Sequence, residues 1–286
     1  MPSHTFRLMK TLYVTDLDGT LLGSDSTVSA RSADLLNSLA DAGAAVTVAT
    51  ARTPATVQPL LRGIRTLAPA VVMTGAALWD RATGHWLDTH LFAPDVAADA
   101  IAQFVRCGVS PFVYTLDGEA LTVFHDRRLN RMEDRFYRER ADLRLKRFVF
   151  GPTDPDPSLY PPVILLLGVD TTPRINVLAD RLSADPRLSV SAYTDIFNSE
   201  QSFIEVFAAG VSKAAAVLRL KRELRADRLV VYGDNLNDLT MFAAADEAVA
   251  VANAKPEVIA AATRVIGPNY ASAVPLDIAK CEGLLP

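Results

Sequence analysis

Short apolar segments alternate with helical patterns at both ends of the chain, and this alternation is the strongest constraint on its fold. In the first third, TLYVT (11–15), AAVTVAT (44–50) and AVVMTG (70–75) have the composition of buried strands, with helical periodicity between them. In the last third, RLVVYG (228–233) and EAVAVA (247–252) repeat the pattern. Strands that alternate with helices predict βαβ units around a parallel sheet.

The middle of the chain has a different pattern of predicted strands and helices. PFVYTL (111–116) and ALTVFH (120–125) flank turn residues and predict an antiparallel hairpin. The strand-like VILLLGV (163–169) extends this module, and the proline-rich stretch 151–162 is expected to be a loop. Helical patterns cover residues 95–107, 127–141 and 172–184.

These patterns predict the fold class and the domain organisation. The expected fold is α/β, with a Rossmann-like parallel-sheet core domain and an inserted α+β domain that we call the cap. Residues 1–82 and 200–286 are expected to form the core domain, and residues 83–199 the cap. The strand-like FIEVF (203–207) therefore falls in the predicted core.

Acidic side chains follow two of the predicted parallel strands. Asp16 and Asp18 come after the first strand, and Asp234 and Asp238 come after RLVVYG. Because the carboxyl ends of parallel strands meet at one edge of a sheet, we expect these carboxylates to converge. Two like charges about 4 Å apart repel by roughly 4 kcal/mol even at an effective dielectric constant of 20, so a cation is expected between them. Oxygen ligands without histidine or cysteine favour Mg²⁺.

Four segments resemble, in order and spacing, the motifs of the haloacid dehalogenase superfamily: DLDGT (16–20), TAR (50–52), GVSK (210–213) and GDNLND (233–238). The large insertion between the second and third motifs is similar to the cap of the Cof-like sugar-phosphatase branch, as is VAVANAKPEV (249–258). The resemblance implies a Mg²⁺-dependent phosphoric monoester hydrolase. Such an enzyme would hydrolyse a small phosphorylated metabolite, most plausibly a sugar phosphate, through an aspartyl-phosphate intermediate.

The resemblance also implies the catalytic roles. Asp16 would be the nucleophile that becomes phosphorylated, and Asp18 would be the general acid and base. Lys213 would bridge the phosphoryl group and Asp16. Dehalogenation expels a halide that needs no proton, so Asp18 favours phosphoryl transfer over the reaction that named the superfamily.

Further residues are assigned by the same resemblance to substrate and metal binding. The substrate-binding residues would be Thr50, Ala51, Arg52, Lys213 and Asn237. The metal ligands would be Asp16, Asp18 through its backbone carbonyl, Asp234 and Asp238, with Asp238 supporting either the metal or Lys213. For Arg52, a structural ion pair is as plausible as phosphate binding.

The sequence departs from the pattern of the branch at two positions near these motifs. Ala51 replaces the usual glycine of the second motif, and Thr74 stands where asparagine usually precedes Gly-Ala. Neither change touches the expected nucleophile, acid, lysine or metal ligands. We therefore expect catalysis to be retained, while substrate preference need not follow the branch.

Two alternative functions use the same residues. A phosphomutase or other phosphotransferase would share every core residue and differ only in the group that accepts the phosphoryl group from Asp16. A catalytically silent protein that binds a phosphorylated ligand would have no need of Asp16, Asp18, Lys213 and Asp234 together.

A basic run in the cap allows two interpretations. Residues 127–147 contain nine Lys and Arg against four Asp and Glu. A solvated helix face is the first interpretation, and recognition of an anionic substrate by some of these side chains is the second. No aromatic stacking platform accompanies the run in a recognisable module, so no nucleic-acid partner is expected.

The composition excludes several classes of protein. The net charge of −4 is mild, and Cys107 and Cys281 are too few for a disulfide framework or a cysteine zinc site. The longest apolar runs fall far short of the ~20 residues that cross a membrane, and the N-terminus has no signal-peptide pattern. We therefore expect no membrane partner and a cytoplasmic location; the oligomeric state is left open.

Overall fold

The structure is a computed structural model that describes residues 10–151, 160–195 and 198–285. Most of the loop predicted for residues 151–162 lies outside the described residues. The helices are α1 (Ala30–Asp41), α2 (Pro54–Leu60), α3 (Pro94–Arg106), α4 (Arg131–Arg138), α5 (Thr172–Ser183), α6 (Lys213–Glu223), α7 (Leu239–Ala244), α8 (Pro256–Ala261) and α9 (Ala273–Cys281).

The strands fall into three sheets. They are β1 (Thr11–Thr15), β2 (Ala45–Val48), β3 (Ala70–Val72), β4 (Ala77–Trp79), β5 (Trp86–Thr89), β6 (Phe112–Asp117), β7 (Ala120–His125), β8 (Lys146–Phe150), β9 (Val163–Thr171), β10 (Leu188–Thr194), β11 (Gln201–Ala208), β12 (Arg228–Gly233), β13 (Glu247–Val251) and β14 (Arg264–Ile266).

The first sheet is parallel and has the order β14-β13-β12-β1-β2. Strand β1 lies between β12 and β2 and is buried along Leu12–Thr15, as expected for a strand covered on both faces. Strand β1 pairs with β12 so that Thr15 lies opposite Tyr232, and with β2 so that Thr15 lies opposite Val48. The carboxyl ends of three strands that are remote in sequence therefore meet at one edge.

The third predicted parallel strand belongs elsewhere. Strand β3 forms a small sheet of order β3-β4-β5 and pairs antiparallel with β4. An isolated parallel bridge between Ala49 and Val71 connects it to the chain after β2. The turn between β3 and β4 requires left-handed backbone at Met73 and Thr74, and this turn reverses the chain into an antiparallel pairing.

The largest sheet has the order β10-β11-β9-β6-β7-β8 and is antiparallel except between β7 and β8. The hairpin β6–β7 is the one predicted from its turn residues. Strand β11 contains FIEVF, which the sequence boundaries placed in the core. It pairs instead with β9 and β10, because its apolar side chains Ile204 and Val206 complete the cluster beneath α3 and α5.

The chain forms two compact units. The core unit extends to Thr53, from Val57 to Leu87 and from Ser212 onward; the cap unit comprises Pro54–Thr56 and Asp88–Val211. The junctions thus fall after β5 begins and after β11 ends, rather than at residues 82–83 and 199–200. Strand pairing accounts for the second difference, because β11 cannot leave the antiparallel sheet without exposing Ile204 and Val206.

Candidate active site

Two acidic residues lie at the carboxyl ends of the central strands. Asp16 directly follows β1, and its backbone N–H donates to the carbonyl of Tyr232 at 3.0 Å. This bond continues the parallel ladder by one residue and brings Asp16 beside the end of β12, where Asp234 begins the next loop. The Asp16 residue is only 5% exposed.

Three carboxylates gather at this edge. Asp16, Asp234 and Asp238 each offer one oxygen, and the three oxygens lie within 4.8 Å of one another. Asp16 and Asp238 are buried, while Asp234 is half-buried. The convergence expected from the sequence is therefore present for these residues.

Lys213 is the cation that faces this cluster. It begins α6, whose N-cap residue Ser212 accepts a hydrogen bond from the backbone N–H of Ala215. The Lys213 ammonium donates to Asp16 Oδ1 at 2.8 Å and to Asp238 Oδ1 at 2.9 Å, and the residue is 2% exposed. A single ammonium against three carboxylates leaves a net charge of about −2 if all three are ionised, and this charge together with an all-oxygen donor set fits a hard divalent cation.

The pKa values of these groups are shifted by burial and by the neighbouring charges. Burial raises the pKa of Asp16 to about 7, Lys213 opposes that shift, and Asp238 adds to it. Burial also raises the pKa of Asp234 to about 6, against the hydrogen bond from Thr20. Burial alone would lower the pKa of Lys213, but Asp16 and Asp238 outweigh it and hold that pKa above its ordinary value.

The turn Leu17–Leu21 needs a glycine to approach Asp234. Gly19 has a φ of 76°, and a Cβ at this position would lie 2.4 Å from Asp234 Oδ2. The next residue, Thr20, donates its hydroxyl hydrogen to Asp234 Oδ1 at 2.7 Å. The Gly-Thr pair of the first motif thus positions the turn against the carboxylate of the fourth.

Asp238 organises the loop after β12. Its Oδ2 accepts backbone N–H bonds from Asp234 at 3.1 Å and Asn235 at 3.2 Å, while Oδ1 accepts from Lys213. A Cβ on Gly233 would lie 2.7 Å from this side chain. Both oxygens of Asp238 already accept hydrogen bonds. Asp238 is therefore better placed to position Asp234 and Lys213 than to bind a metal ion directly.

Asp18 lies outside the carboxylate cluster. Its two oxygens accept hydrogen bonds from Arg52 at 2.7 and 2.6 Å, and its side chain is 52% exposed. From the sequence, Arg52 could either bind phosphate or form a structural ion pair. The structure contains an ion pair between Arg52 and Asp18. A two-bond contact of this kind fixes the plane of the carboxylate.

The remaining predicted substrate-binding residues lie at two places in the core unit. Thr50 is buried after β2, and its hydroxyl oxygen accepts the backbone N–H of Arg52 at 3.1 Å, which leaves its hydrogen available to a ligand. Ala51 is exposed between them. Asn237 is exposed, and its side chain makes no hydrogen bond within the part of the chain that the structure describes.

Thr74, which stands where the family pattern usually has asparagine, has a left-handed backbone conformation. Its φ is 56°, a left-handed conformation that asparagine adopts more readily than a β-branched residue. Its backbone N–H donates to the carbonyl of Thr50 at 3.0 Å. The departure therefore strains the backbone next to Thr50 without removing this hydrogen bond.

Sequence reasoning assigned no role to two asparagines that hold the first motif. Asn253 donates to the carbonyl of Gly19 at 2.8 Å and accepts the backbone N–H of Asn269 at 2.9 Å. Asn269 in turn donates to the carbonyl of Leu22 at 2.7 Å. Asn253 lies inside VAVANAKPEV, a segment that resembles the family, so the sequence indicated a role for this segment. The hydrogen-bond partner of Asn253 could not be predicted from it.

Comparisons with known proteins show the family to which the chain belongs. A family model for haloacid dehalogenase-like hydrolases matches residues 13–276. The chain is similar to 5-amino-6-(5-phospho-D-ribitylamino)uracil phosphatase YwtE of Bacillus subtilis (strain 168), at 26% identity over 276 residues, which cover 89% of this chain and 92% of that protein.

Solved structures share the fold over nearly the whole chain. A haloacid dehalogenase-like hydrolase from Bacteroides thetaiotaomicron aligns with a TM-score of 0.76 at 20% identity, covering 95% of this chain and 99% of that one. The subclass IIB sugar phosphatase BT4131 aligns with a TM-score of 0.69 at 20% identity, covering 96% and 100% of the two chains.

The chain therefore belongs to the haloacid dehalogenase-like hydrolase family. It is an enzyme of the phosphatase class, as the motifs predicted, and the predicted α/β fold class is confirmed. None of the helices in the described ranges combines the length and the apolar composition that a bilayer crossing requires.

Proposed function

We propose that this protein is a Mg²⁺-dependent phosphatase that hydrolyses a small phosphorylated metabolite through an aspartyl-phosphate on Asp16. The observation that carries the proposal is the buried contact between Asp16 and the Lys213 ammonium, beside Asp234 and Asp238. A buried carboxylate held by one ammonium is a nucleophile whose charge is partly balanced before the phosphate arrives.

In the first step an oxygen of Asp16 forms a bond to phosphorus while the bond from phosphorus to the ester oxygen breaks. Asp18, in its protonated form, gives its proton to the departing oxygen. Lys213 and the hydroxyl of Thr50 would donate to the phosphoryl oxygens, whose charge is spread across the transition state. The released product is the dephosphorylated alcohol.

In the second step water attacks the phosphorus of the aspartyl-phosphate. Asp18 takes a proton from this water, the bond between Asp16 and phosphorus breaks, and inorganic phosphate leaves with the nucleophile restored. Arg52 would orient Asp18 between the two steps through its paired hydrogen bonds.

Asp16 and Asp234, with Asp238 behind them and the backbone carbonyl of Asp18, would hold the metal ion. When bound, Mg²⁺ would supply positive charge that lets an anionic phosphate approach the Asp16 carboxylate. The support for this assignment is the all-oxygen set and the excess of carboxylates over ammonium groups.

A sugar phosphate or sugar-alcohol phosphate is the substrate class that the relatives favour. The named Bacillus phosphatase acts on a phosphoribitylamino compound, and the BT4131 structure is that of a sugar phosphatase. Both descriptions share a phosphate on a polyhydroxylated carbon chain. We therefore assign this chain to the same chemical class of substrate.

The test is release of inorganic phosphate from a panel of sugar phosphates, nucleotides, phosphoglycolate and pyridoxal phosphate, with and without Mg²⁺. We expect at least one sugar phosphate to be hydrolysed only with the metal, and Asp16→Asn to lower kcat by at least about 1,000-fold because the nucleophile is lost while the shape is kept. Asp34→Asn, an exposed acid on α1, is the control and should retain full activity.

The same assay separates the two alternative functions. A phosphomutase would give isomerised substrate without free phosphate, and a silent binding protein would give neither. Full activity of Asp16→Asn would contradict the mechanism.

A further inference from the structure

The cap unit contains a buried lysine that has no acidic partner among the residues that the structure describes. Lys146 begins β8 and is 6% exposed, and its ammonium lies 5.6 Å from the ring centre of Tyr114 and 5.3 Å from that of Phe148. Within the described residues the ammonium forms no ion pair or hydrogen bond. Contact with two rings replaces only part of the hydration that burial removes.

Tyr114 is a second buried polar group at the same place. The residue is 2% exposed, and its hydroxyl has no hydrogen-bond partner in the part of the chain that the structure describes. Burial raises the pKa of Tyr114 above its ordinary value, so the hydroxyl stays protonated and can donate. The Lys146 ammonium and the Tyr114 hydroxyl are thus two neighbouring donors that have no acceptor among the described residues.

The position of this cluster on the cap sheet follows from strand alternation. Val113 faces the apolar cluster beneath α3 and α5, so its neighbour Tyr114 faces the opposite side. That opposite side is also the side of Phe112, whose ring contacts Phe136 of α4 at 4.9 Å. Lys146 therefore belongs to a ring-lined face that α4 partly covers.

A second cation adds to the local positive charge. Arg140 lies just beyond α4, with its guanidinium 4.1 Å from the ring centre of Phe136, and its Nη1 donates to Glu139 Oε2 at 2.8 Å. Burial, and then repulsion by Arg140, lower the pKa of Lys146 to about 7. Because Glu139 pairs with Arg140 and not with Lys146, an anion beside the ammonium would offset both its burial and this repulsion.

An acidic residue that acts on Tyr114 has another partner. Glu205 of β11 accepts a hydrogen bond from the hydroxyl of Tyr193 at 3.3 Å, and its charge contributes to raising the pKa of Tyr114 and Tyr193. It is not among the groups that alter the pKa of Lys146. The other basic side chains of residues 127–147 differ from Lys146: Arg138, for example, is exposed and pairs with Asp134.

We propose that Lys146, Tyr114 and Arg140 form an anion-binding site in the cap unit, which takes an oxyanion group of a small molecule. The ammonium supplies the charge, the guanidinium supplies N–H donors in addition to the one that Glu139 accepts, and the Tyr114 hydroxyl supplies a neutral donor. The oxyanion is a carboxylate of a small molecule, and this proposal does not rest on the proposed phosphatase function.

Calorimetric binding measurements with gluconate and glucitol test the site. The two compounds have the same carbon chain and differ at carbon 1, where gluconate has a carboxylate and glucitol has a hydroxyl group. We expect gluconate to bind at least tenfold more tightly than glucitol.

Lys146→Met should abolish the effect of the carboxylate, and Lys280→Met, an exposed lysine of α9, should not. Binding near pH 7.5 should also take up part of a proton in the parent and none in Lys146→Met, because an anion raises the pKa of the ammonium. This proton uptake is measured from the heat of binding in two buffers of different ionisation enthalpy.

The proposal is overturned if no carboxylate effect exists in the parent, or if Lys146→Met retains it. Failure of the phosphatase function would appear separately, as absence of phosphate release by the unaltered enzyme from every ester. Gluconate binding does not depend on that activity.

Discussion

Two buried lysines show how the partner of a charged side chain decides its chemistry. Lys213 lies between two carboxylates and its pKa is raised, whereas Lys146 faces two rings and an arginine and its pKa is lowered to about 7. Both residues are more than nine-tenths buried. The first is suited to remain charged beside the proposed nucleophile, and the second has no acidic partner in the described part of the chain.

The lowered pKa of Lys146 predicts a particular pH dependence of stability. Between a pH of about 7 and the ordinary lysine pKa of 10.5, the unfolded chain binds more protons than the folded one. Lys146 therefore lowers the free energy of unfolding at neutral pH, and this loss is recovered as the pH rises. Lys146→Met should therefore raise the free energy of unfolding by about 1 to 4 kcal/mol near neutral pH and below. The gain should fade as the pH approaches about 10.

Denaturant unfolding at about pH 6 and about pH 9.5 measures this difference, with Lys280→Met as the exposed control. A gain that is equal at both pH values, or a loss of stability at the lower one, would contradict the assignment of Lys146 as a charged group buried without a counterion.

At the scale of elements, the site is built from loops that follow parallel strands and are tied to one another. The turn after β1 is held against Asp234 by Gly19 and Thr20, and from the other side by Asn253. The strands bring these loops to one edge, but hydrogen bonds between loops set the positions of the carboxylates to within tenths of an ångström.

Asn253→Ala tests whether this connection matters for catalysis. The substitution removes the bonds to Gly19 and Asn269 and should destabilise the protein by about 1 kcal/mol. It should also lower kcat by about 10-fold or more, since the turn carrying Asp16 and Asp18 loses a support.

Asn37 offers a matched control in the same unit. It likewise donates to a backbone carbonyl, that of Gly63, and accepts a backbone N–H, that of Arg65. Asn37→Ala should show a similar loss of stability with an unchanged kcat. Equal effects of the two substitutions on kcat, measured alongside thermal unfolding, would remove the positioning role of Asn253.

At the scale of the whole molecule, the proposed metal site exists only in the folded core unit. Asp16 and Asp234 are more than two hundred residues apart in sequence and meet because β1 pairs with β12. In the unfolded chain these carboxylates are far apart and do not bind one cation together. Folding and metal binding are therefore linked.

Added Mg²⁺ should raise the melting temperature by several degrees, because a ligand at about 100 times its Kd stabilises the folded state by about 2.7 kcal/mol. Asp234→Asn should abolish most of this shift, and Asp34→Asn should preserve it. The measurement is differential scanning fluorimetry with and without Mg²⁺ after removal of metal by chelation. An identical shift in Asp234→Asn would contradict the assignment of Asp234 as a ligand.

Local periodicity was enough to predict the α/β class, the β6–β7 hairpin and the order of motifs at the strand ends, because strands, turns and helix starts depend on neighbouring residues. The convergence of Asp16 and Asp234 also followed, since parallel strands present their carboxyl ends at one edge. The catalytic roles of these residues remain predictions.

Other features depended on contacts between segments far apart in the chain. Only the fold decided that β11 completes the antiparallel sheet and that Arg52 holds Asp18. The fold also decided that Lys146 of the basic run is buried against aromatic rings, with no acidic partner among the described residues. A strand's composition indicates that it will pair and be buried, but its partner is chosen by the apolar surface that it covers. A charged side chain likewise has no partner until distant segments have folded together, so only the tertiary structure determines which charges are neutralised.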